Sequence, residues 1–385
     1  MRDLVRRIDS ATPSNRDRAV DALRAFAILG VVLGHWLVTA LVARSGTFRS
    51  ASPLQNMPQL AWISWIFQTL AVFFLVGGYV GAMSYASARA RGKTYRQWLG
   101  ARTTRLFRPV APVLLVWTGA AGVMLISGVD LETTRTLLKL VLSPLWFLLV
   151  FSALTAATPL VAKLHPLWPL VVVLCVDLFR FSHGGPTWLG WINVAAAWLV
   201  PYCLGGVWAR GGLQCRTTGW ALLLGGTTAT AGLVLWAGYP AAMVGIPGAA
   251  ISNLNPPTLA AVTFGLAQCG AALLLLGPLR RVLARPAAWT AVALVNCSAM
   301  TIFLWHQTAM MAVAATGLLV SDALPGLHTA PNGPGWLLTR LAWLPVFAVA
   351  LLICWAAFRT YEDGGHGKGS QGVRNRSPAR PPTAA

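Results

Sequence analysis

The first long apolar run of the chain carries an arginine and a histidine, Arg24 and His35. They are eleven positions apart. On an α-helix this is three turns plus roughly 20°, so both side chains share one face, about 16 Å apart along the axis. Asp21 precedes Arg24 by one turn and can pair with it. A guanidinium can stabilise developing negative charge, and an imidazole can act as a general base near neutral pH.

A second histidine, His306, lies deep in another apolar run. It is about 22 Å along that run and His35 about 24 Å along its own, so we expect both in one layer. Ionisable groups inside a membrane cost several kcal/mol unless paired or hydrated, which favours a functional interpretation. Structural alternatives remain: Arg24 can snorkel to the interface, and either histidine can simply pack or bond a neighbouring helix. With no cysteine or carboxylate cluster nearby, we predict no metal site.

A basic segment contains Arg102, Arg105 and Arg108, spaced three residues apart. This spacing places the guanidinium groups on one side of a helix, where they suit phosphate groups. The alternative is ordinary positive charge at the cytoplasmic membrane surface, in contact with lipid headgroups. We treat the three arginines as candidate substrate-binding residues, together with Asp21.

Three other patterns have two interpretations each. Gly77 and Gly78 belong to a GxxxG pattern that favours helix packing, but glycines also let a substrate approach the backbone. Trp146 begins an apolar run, where it indicates either the aromatic belt of a membrane or a substrate contact. Asp177 and Arg180 are three residues apart and predict a structural ion pair or a proton or substrate path.

The composition is that of a membrane protein. Of 385 residues 56% are hydrophobic and only 10% charged, with a mean hydropathy of +0.63, whereas soluble domains have roughly 25% charged residues. The net charge of +20 is explained by basic residues between spans, so we predict no nucleic-acid partner. The six cysteines show no CxxC spacing, which indicates neither a disulfide framework nor a metal site.

We predict an all-α, polytopic bundle of about ten transmembrane helices in the cell membrane. The predicted spans are roughly 19–43, 60–86, 109–128, 144–162, 166–181, 188–208, 217–238, 258–279, 291–320 and 336–357. They form one membrane domain, 19–357, after a cytoplasmic N-terminal segment, 1–18. Residues 358–385 are polar and rich in Gly and Pro, and we predict a disordered cytoplasmic tail.

The basic residues separate by side under this assignment. Of the 30 Lys and Arg, 23 fall on the side of both termini and 6 on the other, with Arg24 inside a span. The positive-inside rule therefore places both termini in the cytoplasm. The loops at 239–257 and 321–335 fall outside, and their Pro, Gly and Asn content predicts ordered caps over a cavity.

Five segments together resemble the acyltransferase family 3 membrane proteins over residues 16–357. They are Arg24 with His35, Phe73-Phe74-Leu-Val-Gly77-Gly78-Tyr79, Arg105-Leu-Phe-Arg108-Pro109, Leu145-Trp146-Phe147-Leu148 with Pro159, and Phe303-Leu304-Trp305-His306. The resemblance implies transfer of an acyl group from cytoplasmic acyl-CoA to an acceptor at the outer face, such as a glycan or a small secreted metabolite.

The chain departs from that family pattern in two places. Many members have Trp-Ser-Leu followed by a glutamate, where this chain has Trp146-Phe-Leu-Leu-Val-Phe, so any role of that glutamate is absent or moved. We also expect no esterase-like domain of the kind fused to some members, so that transfer would rest on the membrane domain alone.

From these residues we predict an O-acyltransferase, with acyl-CoA as a co-substrate and no resident cofactor. CoA phosphates would bind near the basic row. Arg24 would either hold the CoA or stabilise negative charge that develops on the thioester oxygen, and His35 would act as general base. His306 is the third candidate catalytic residue. A two-step route through an acyl-His35 intermediate is an alternative to direct transfer. The alternatives are a proton-coupled transporter or flippase using the same intramembrane residues, or a structural protein, which would leave the aligned Arg24 and His35 unexplained.

The predicted topology can be tested by cysteine labelling. In a variant without the six native cysteines, Ser87→Cys and Ala288→Cys should stay unlabelled by an impermeant thiol reagent in intact cells, because the loops at 87–108 and 280–290 are predicted to be cytoplasmic. Both should label once the membrane is permeabilised. Strong labelling of either one in intact cells would contradict the topology.

Overall fold

A computed structural model describes residues 2–14, 16–44 and 47–363, and these form a helical bundle with one short hairpin. The all-α, polytopic prediction is confirmed. Most of the predicted C-terminal tail, residues 364–385, lies outside the described residues. Its first residues are helical, so any unstructured tail begins later than position 358.

The elements follow one another with short connections. The first part of the chain contains α1 (Arg2–Ser10), α2 (Arg18–Val38), β1 (Ala40–Arg44), β2 (Thr47–Ala51), α3 (Pro53–Asn56), α4 (Ser64–Phe67), α5 (Leu70–Ala90), α6 (Tyr95–Phe107), α7 (Val110–Ile126), α8 (Leu131–Leu142), α9 (Leu145–Ala156) and α10 (Thr158–Val161). The second part contains α11 (Leu167–Ser182), α12 (Ile192–Ala209), α13 (Arg216–Trp236), α14 (Leu259–Leu283), α15 (Pro286–Cys297), α16 (Ala299–Gly317), α17 (Pro334–Phe358) and α18 (Thr360–Asp363). Two 3₁₀ helices, Pro58–Ile63 and Thr187–Trp191, complete them.

Each of the ten predicted spans has a helix or a helical run at its position. Among the described residues, eight helices or helical runs are long and apolar enough to cross a membrane, or nine if α15 and α16 together count as one span. The remaining segment, α11, has 16 residues, which is shorter than a typical span. The chain is therefore a multi-pass membrane protein, while the number ten and the cytoplasmic location of the termini stay predictions.

Two predicted boundaries are wrong. The first span ends at Val38 rather than 43, because the chain turns at Thr39 into the antiparallel pair β1–β2. The supposed loop at 87–108 is almost entirely helical, since α5 runs to Ala90 and α6 begins at Tyr95. The fourth predicted span begins where expected, since Trp146 lies in the first turn of α9, although α8 precedes it to give the helical run Leu131–Ala156.

The ninth predicted span is broken. Helices α15 and α16 meet at Ser298 with a bend of 70°. No Pro or Gly is present there; instead the Asn296 side chain donates to the backbone oxygen of Val292, 3.0 Å away. A side chain that competes for a helix carbonyl in this way is one of the recognised causes of a kink.

Helix α2 lies at the centre of the bundle, in contact with α5, α14, α15 and α16. We call the end of the bundle where α2 begins the Arg24 end, and the other the His35 end. At the Arg24 end Asp17 binds Arg280, with their closest side-chain atoms 2.6 Å apart. At the His35 end Val38 packs among Leu54, Ala61 and Ala242. The loops predicted as caps gather at this end, since Ala43 donates its backbone amide to the His328 oxygen.

A buried arginine closes the His35 end of α2. Arg340 is 1% exposed and donates to the backbone oxygens of Trp36 and Thr39, each 2.7 Å away, and of Gly326, 3.0 Å away. Its guanidinium has no carboxylate partner among the described residues. The last carbonyls of a helix lack partners and carry partial negative charge, so a cation there satisfies and stabilises them.

The glycines of α5 allow a very close approach to α12. A Cβ atom on Gly78 would collide with the backbone oxygen of Tyr202, and one on Gly205 would collide with the backbone of α5. Gly77 faces the ring of Phe151 in the same manner. All three glycines are buried, so the GxxxG pattern marks a helix-packing surface, as is typical in membranes.

Replacing Gly78 with alanine should therefore destabilise the bundle. We expect Gly78→Ala to lower the free energy of unfolding by about 1–3 kcal/mol, the usual cost of overpacking, because the obstacle is backbone and cannot rotate away. Thermal unfolding in detergent measures the effect. Gly119→Ala is the matched control, since a Cβ there meets nothing within 4 Å. Equal midpoints for the two variants would contradict the packing role.

Candidate functional site

Helix α2 presents Arg24 and His35 on one face, as their spacing predicts. Its N-cap is Asp17, whose carboxylate accepts the backbone amide two residues on, 3.1 Å away. Arg24, Val31 and His35 on that face are all partly accessible. Phe26, which is 53% exposed, lies on the opposite face. The Arg24–His35 face therefore keeps some open space while packed inside the bundle.

Arg24 is held by two side chains. Its Nε donates to the Asn296 amide oxygen, 2.5 Å away, and its Nη2 lies 3.4 Å from the Asp21 carboxylate. Asn296 in turn donates to the backbone oxygen of Asp21 at 2.8 Å. The predicted Asp21–Arg24 pair is thus confirmed, although Asp21 lies closer to Arg16, at 2.5 Å. Arg24 is 31% exposed, and within the described residues its Nη1 has no partner, which leaves donors free for a ligand.

His35 and His306 lie side by side, with ring centroids 5.2 Å apart. The expectation that they share one layer is confirmed. His306 is fully buried and its Nδ1 is 2.6 Å from the backbone oxygen of Phe303. A carbonyl oxygen only accepts, so this nitrogen carries the proton and Nε2 of a neutral ring holds a lone pair. That Nε2 is buried and has no hydrogen-bond partner in the described part of the chain.

Gln307 is the partner of His35. Its amide nitrogen lies 3.1 Å from His35 Nδ1, and its amide oxygen is buried without a partner among the described residues. An amide offers a donor at one position and an acceptor at the other, so Gln307 can pair with either tautomer of His35 by turning the amide over. Such a partner can accompany the ring as it gains or loses a proton.

The sequence-based reasoning missed both Asn296 and Gln307. They are eleven positions apart, the same spacing as Arg24 and His35, and they contact those two residues in the same order along α2. Asn296 ends α15 and Gln307 lies in α16, on the two sides of the bend. Polar amides inside apolar runs are the signal by which the residues could have been found.

The basic row lies on α6, as a helical spacing requires, with Thr94 and Gln97 forming a capping box at its start. Arg105 and Arg108 are exposed and, among the described residues, lack an acidic partner. Arg102 lies over the ring of Trp98, 5.8 Å from its centroid. Trp98 donates its indole N–H to the Ser84 hydroxyl of α5, 3.0 Å away. That part of α5 packs against the first turns of α2, so the row belongs to the Arg24 end. Whether it binds substrate stays a prediction.

An aromatic path leads from the histidine pair into the bundle. Phe303 lies 6.1 Å from the ring of His306 and 5.4 Å from that of Phe147. Trp146 is instead 37% exposed and contacts Trp198 at 6.4 Å. In this segment Phe147 rather than the predicted Trp146 approaches the histidines. Gly77 and Gly78 pack against Phe151 and Tyr202, which supports the helix-packing interpretation of these glycines over a substrate contact.

Asp177 and Arg180 form the predicted ion pair, 3.8 Å apart. Asp177 is 1% exposed and also accepts from the Asn193 amide, the Tyr239 hydroxyl and the backbone amide of Leu259. These contacts join α11, α12 and α14. Because the carboxylate is fully engaged, the pair supports the structural interpretation rather than a proton path.

The chemistry available here is that of a base and a cation at opposite ends of one helix face. The imidazole of His35 can take a proton, and the guanidinium of Arg24 can bind or stabilise an anion. No group of three or more His, Cys, Asp or Glu side chains within the described ranges is arranged to hold a metal ion.

Comparison with known proteins identifies the family. Residues 17–359 match the model of the acyltransferase domain, which spans nearly the whole chain and includes the candidate site residues described above. No curated protein and no solved structure gives a significant match. The match covers the broken helix, the basic row and the Arg24–His35 face together. The chain therefore belongs to the membrane acyltransferase family defined by this domain.

Proposed function

We propose that this protein transfers an acyl group, specifically acetyl, from cytoplasmic acyl-CoA to a hydroxyl group of an acceptor at or beyond the outer face of the cell membrane. A glycan or a small secreted metabolite is the class of acceptor we favour. The observation that carries the proposal is the contact of His35 with His306 and Gln307 on the same face of α2 as the Asn296-bound Arg24.

The donor would bind at the Arg24 end. CoA carries several phosphate groups, and planar guanidinium groups bind phosphate oxygens in a bidentate manner. Arg105 and Arg108 are exposed there, and the accessible part of Arg24 lies further along. The pantetheine arm would then extend along α2 over the roughly 16 Å that separates Arg24 from His35 on an ideal helix.

The acceptor would react at His35. Of the two histidines His35 is the partly accessible one, whereas His306 is fully buried. In our scheme His35 removes the proton from the acceptor hydroxyl while the hydroxyl oxygen attacks the thioester carbonyl carbon. The tetrahedral intermediate then collapses, the carbon–sulfur bond breaks, and the departing thiolate takes the proton from His35. The products are the ester and free CoA.

The competing proposal is a transporter, and one observation favours it. Bent helix pairs such as α15–α16 line substrate sites in many transporters, usually as two matching pairs in repeated halves. The described residues contain one such pair. Membership of an acyltransferase family favours the enzyme, and release of free CoA from acetyl-CoA by the purified protein would separate the two.

Removing the imidazole should abolish transfer. We expect His35→Ala to reduce the acceptor-dependent release of CoA by roughly 10²–10⁴-fold, the usual contribution of a general base. Arg24→Lys should also fail, because an ammonium cannot reproduce the two-sided contact with Asn296 and an anion. The double variant should be little worse than His35→Ala, as expected for residues that serve one step.

His183→Ala is the matched control, because His183 is an exposed histidine outside the site. It should retain the activity of the unchanged protein. Membrane levels and gel-filtration profiles of all variants should be alike, since the changes leave the apolar packing intact. Near-normal transfer by well-folded His35→Ala would refute the proposed mechanism.

The basic row provides a separate prediction about the donor. Replacing both Arg105 and Arg108 with glutamine should raise the KM for acetyl-CoA, and the defect should grow with salt because the remaining attraction is screened. Arg89 and Arg91 are exposed arginines one helix earlier, and their double glutamine variant controls for net charge. If both double variants keep a normal KM, the row is not a phosphate site.

A further inference from the structure

The last described residues of the chain contact the bend between α15 and α16. Trp355 donates its indole N–H to the hydroxyl of Ser298, 2.7 Å away, at the bend itself. Phe358 stacks on Trp305 with centroids 3.9 Å apart and planes inclined by 8°. The chain then turns through α18, which brings Glu362 to the start of α16.

Glu362 caps α16. One carboxylate oxygen accepts the backbone amide of Met300 at 3.1 Å, and the other accepts the amide of Thr301 at 3.0 Å and its hydroxyl at 2.7 Å. The first amides of a helix have no partner within the helix and carry partial positive charge, so a carboxylate there is strongly favoured. The side chain of Ser298, a residue type that often caps helices, makes no such bond and accepts from Trp355 instead.

The capped helix is the one that carries the histidine partner groups. His306 and Gln307 lie within two turns of the amides that Glu362 holds. Asn296, which holds Arg24, lies just before the bend. A shift of α16 about the bend would therefore change the placement of His306 and Gln307 against His35 while leaving the Arg24–Asn296 contact in place.

We propose that Glu362 is a positioning residue, which fixes the angle of α16 and thereby the placement of His306 and Gln307 beside His35. The proposal rests on acyl transfer being the reaction of this site. It assigns a role in the reaction to a residue beyond the matched domain, which ends at 359, and 55 positions along the chain from Gln307.

Hydrogen exchange and kinetics of the full-length protein test it together. In Glu362→Ala the amides of Met300 and Thr301 should exchange at least about fivefold faster, as expected for the loss of a cap. The kcat for transfer from acetyl-CoA should fall by about tenfold to a hundredfold, because small displacements of catalytic groups are costly. The KM for acetyl-CoA should change by less than about twofold, since the Arg24 contact does not depend on α16.

Glu132→Ala is the matched control, because Glu132 is the other glutamate of the chain and is exposed. It should alter neither quantity. Glu362→Gln keeps the size of the side chain but not its charge, and should give smaller changes of the same kind; it replaces the alanine variant if that one fails to fold.

The outcomes distinguish this proposal from the function on which it rests. Unchanged exchange at Met300 and Thr301 would refute the cap. Faster exchange with an unchanged kcat would refute the positioning role. A lower kcat together with a raised KM for acetyl-CoA would indicate general disruption of the site and would refute the role as well. If the unchanged protein releases no CoA at all, the proposed function fails, while the exchange experiment still decides whether the cap exists.

Discussion

The hydrogen bond between Arg24 and Asn296 is the contact on which the arrangement of the site depends. A guanidinium inside an apolar bundle needs partners, because its desolvation is otherwise uncompensated. Asn296 supplies one, and the same amide also bonds the backbone oxygens of Asp21 and Val292. In doing so it ties α2 to α15 and competes for a backbone oxygen of α15 less than two turns before the bend. The cation and the kink are therefore parts of one arrangement.

The bend has consequences at both of its sides. A straight helix would carry polar residues eleven positions apart on one face, as α2 does with Arg24 and His35. On α15 and α16 the same spacing is interrupted by a bend of 70°, yet Asn296 and Gln307 still contact those two residues. The four side chains thus form two matched contacts along α2, and the bend changes the direction of the chain between them.

The sequence predicted the parts of this structure that depend on local pattern. Apolar runs located the ten helical segments, and ionisable residues inside them located Arg24, His35 and His306. The bend could not be predicted because there is no Pro or Gly at Ser298. The amides of Met300 and Thr301 after the bend bind Glu362, which is 62 and 61 positions away in the sequence. The strand pair after Val38 was also missed, because the first four residues of β1, Ala-Leu-Val-Ala, continue the apolar run of the helix before them. Trp146 and Phe147 are adjacent, and only the packing of Phe303 shows which one approaches the histidines.

Helix α17 gives the site a mechanical connection to the lipid. The helix is mostly exposed along its length, but it is anchored near both ends: Arg340 holds the last carbonyls of α2, and Trp355 and Phe358 hold the start of α16. These anchors are about 22 Å apart along an ideal helix. A helix surrounded by lipid tilts to match the thickness of the bilayer. A tilt of α17 would therefore move the end of α2 and the start of α16 at once, so that the thickness of the surrounding membrane acts on the two elements that hold the histidine pair.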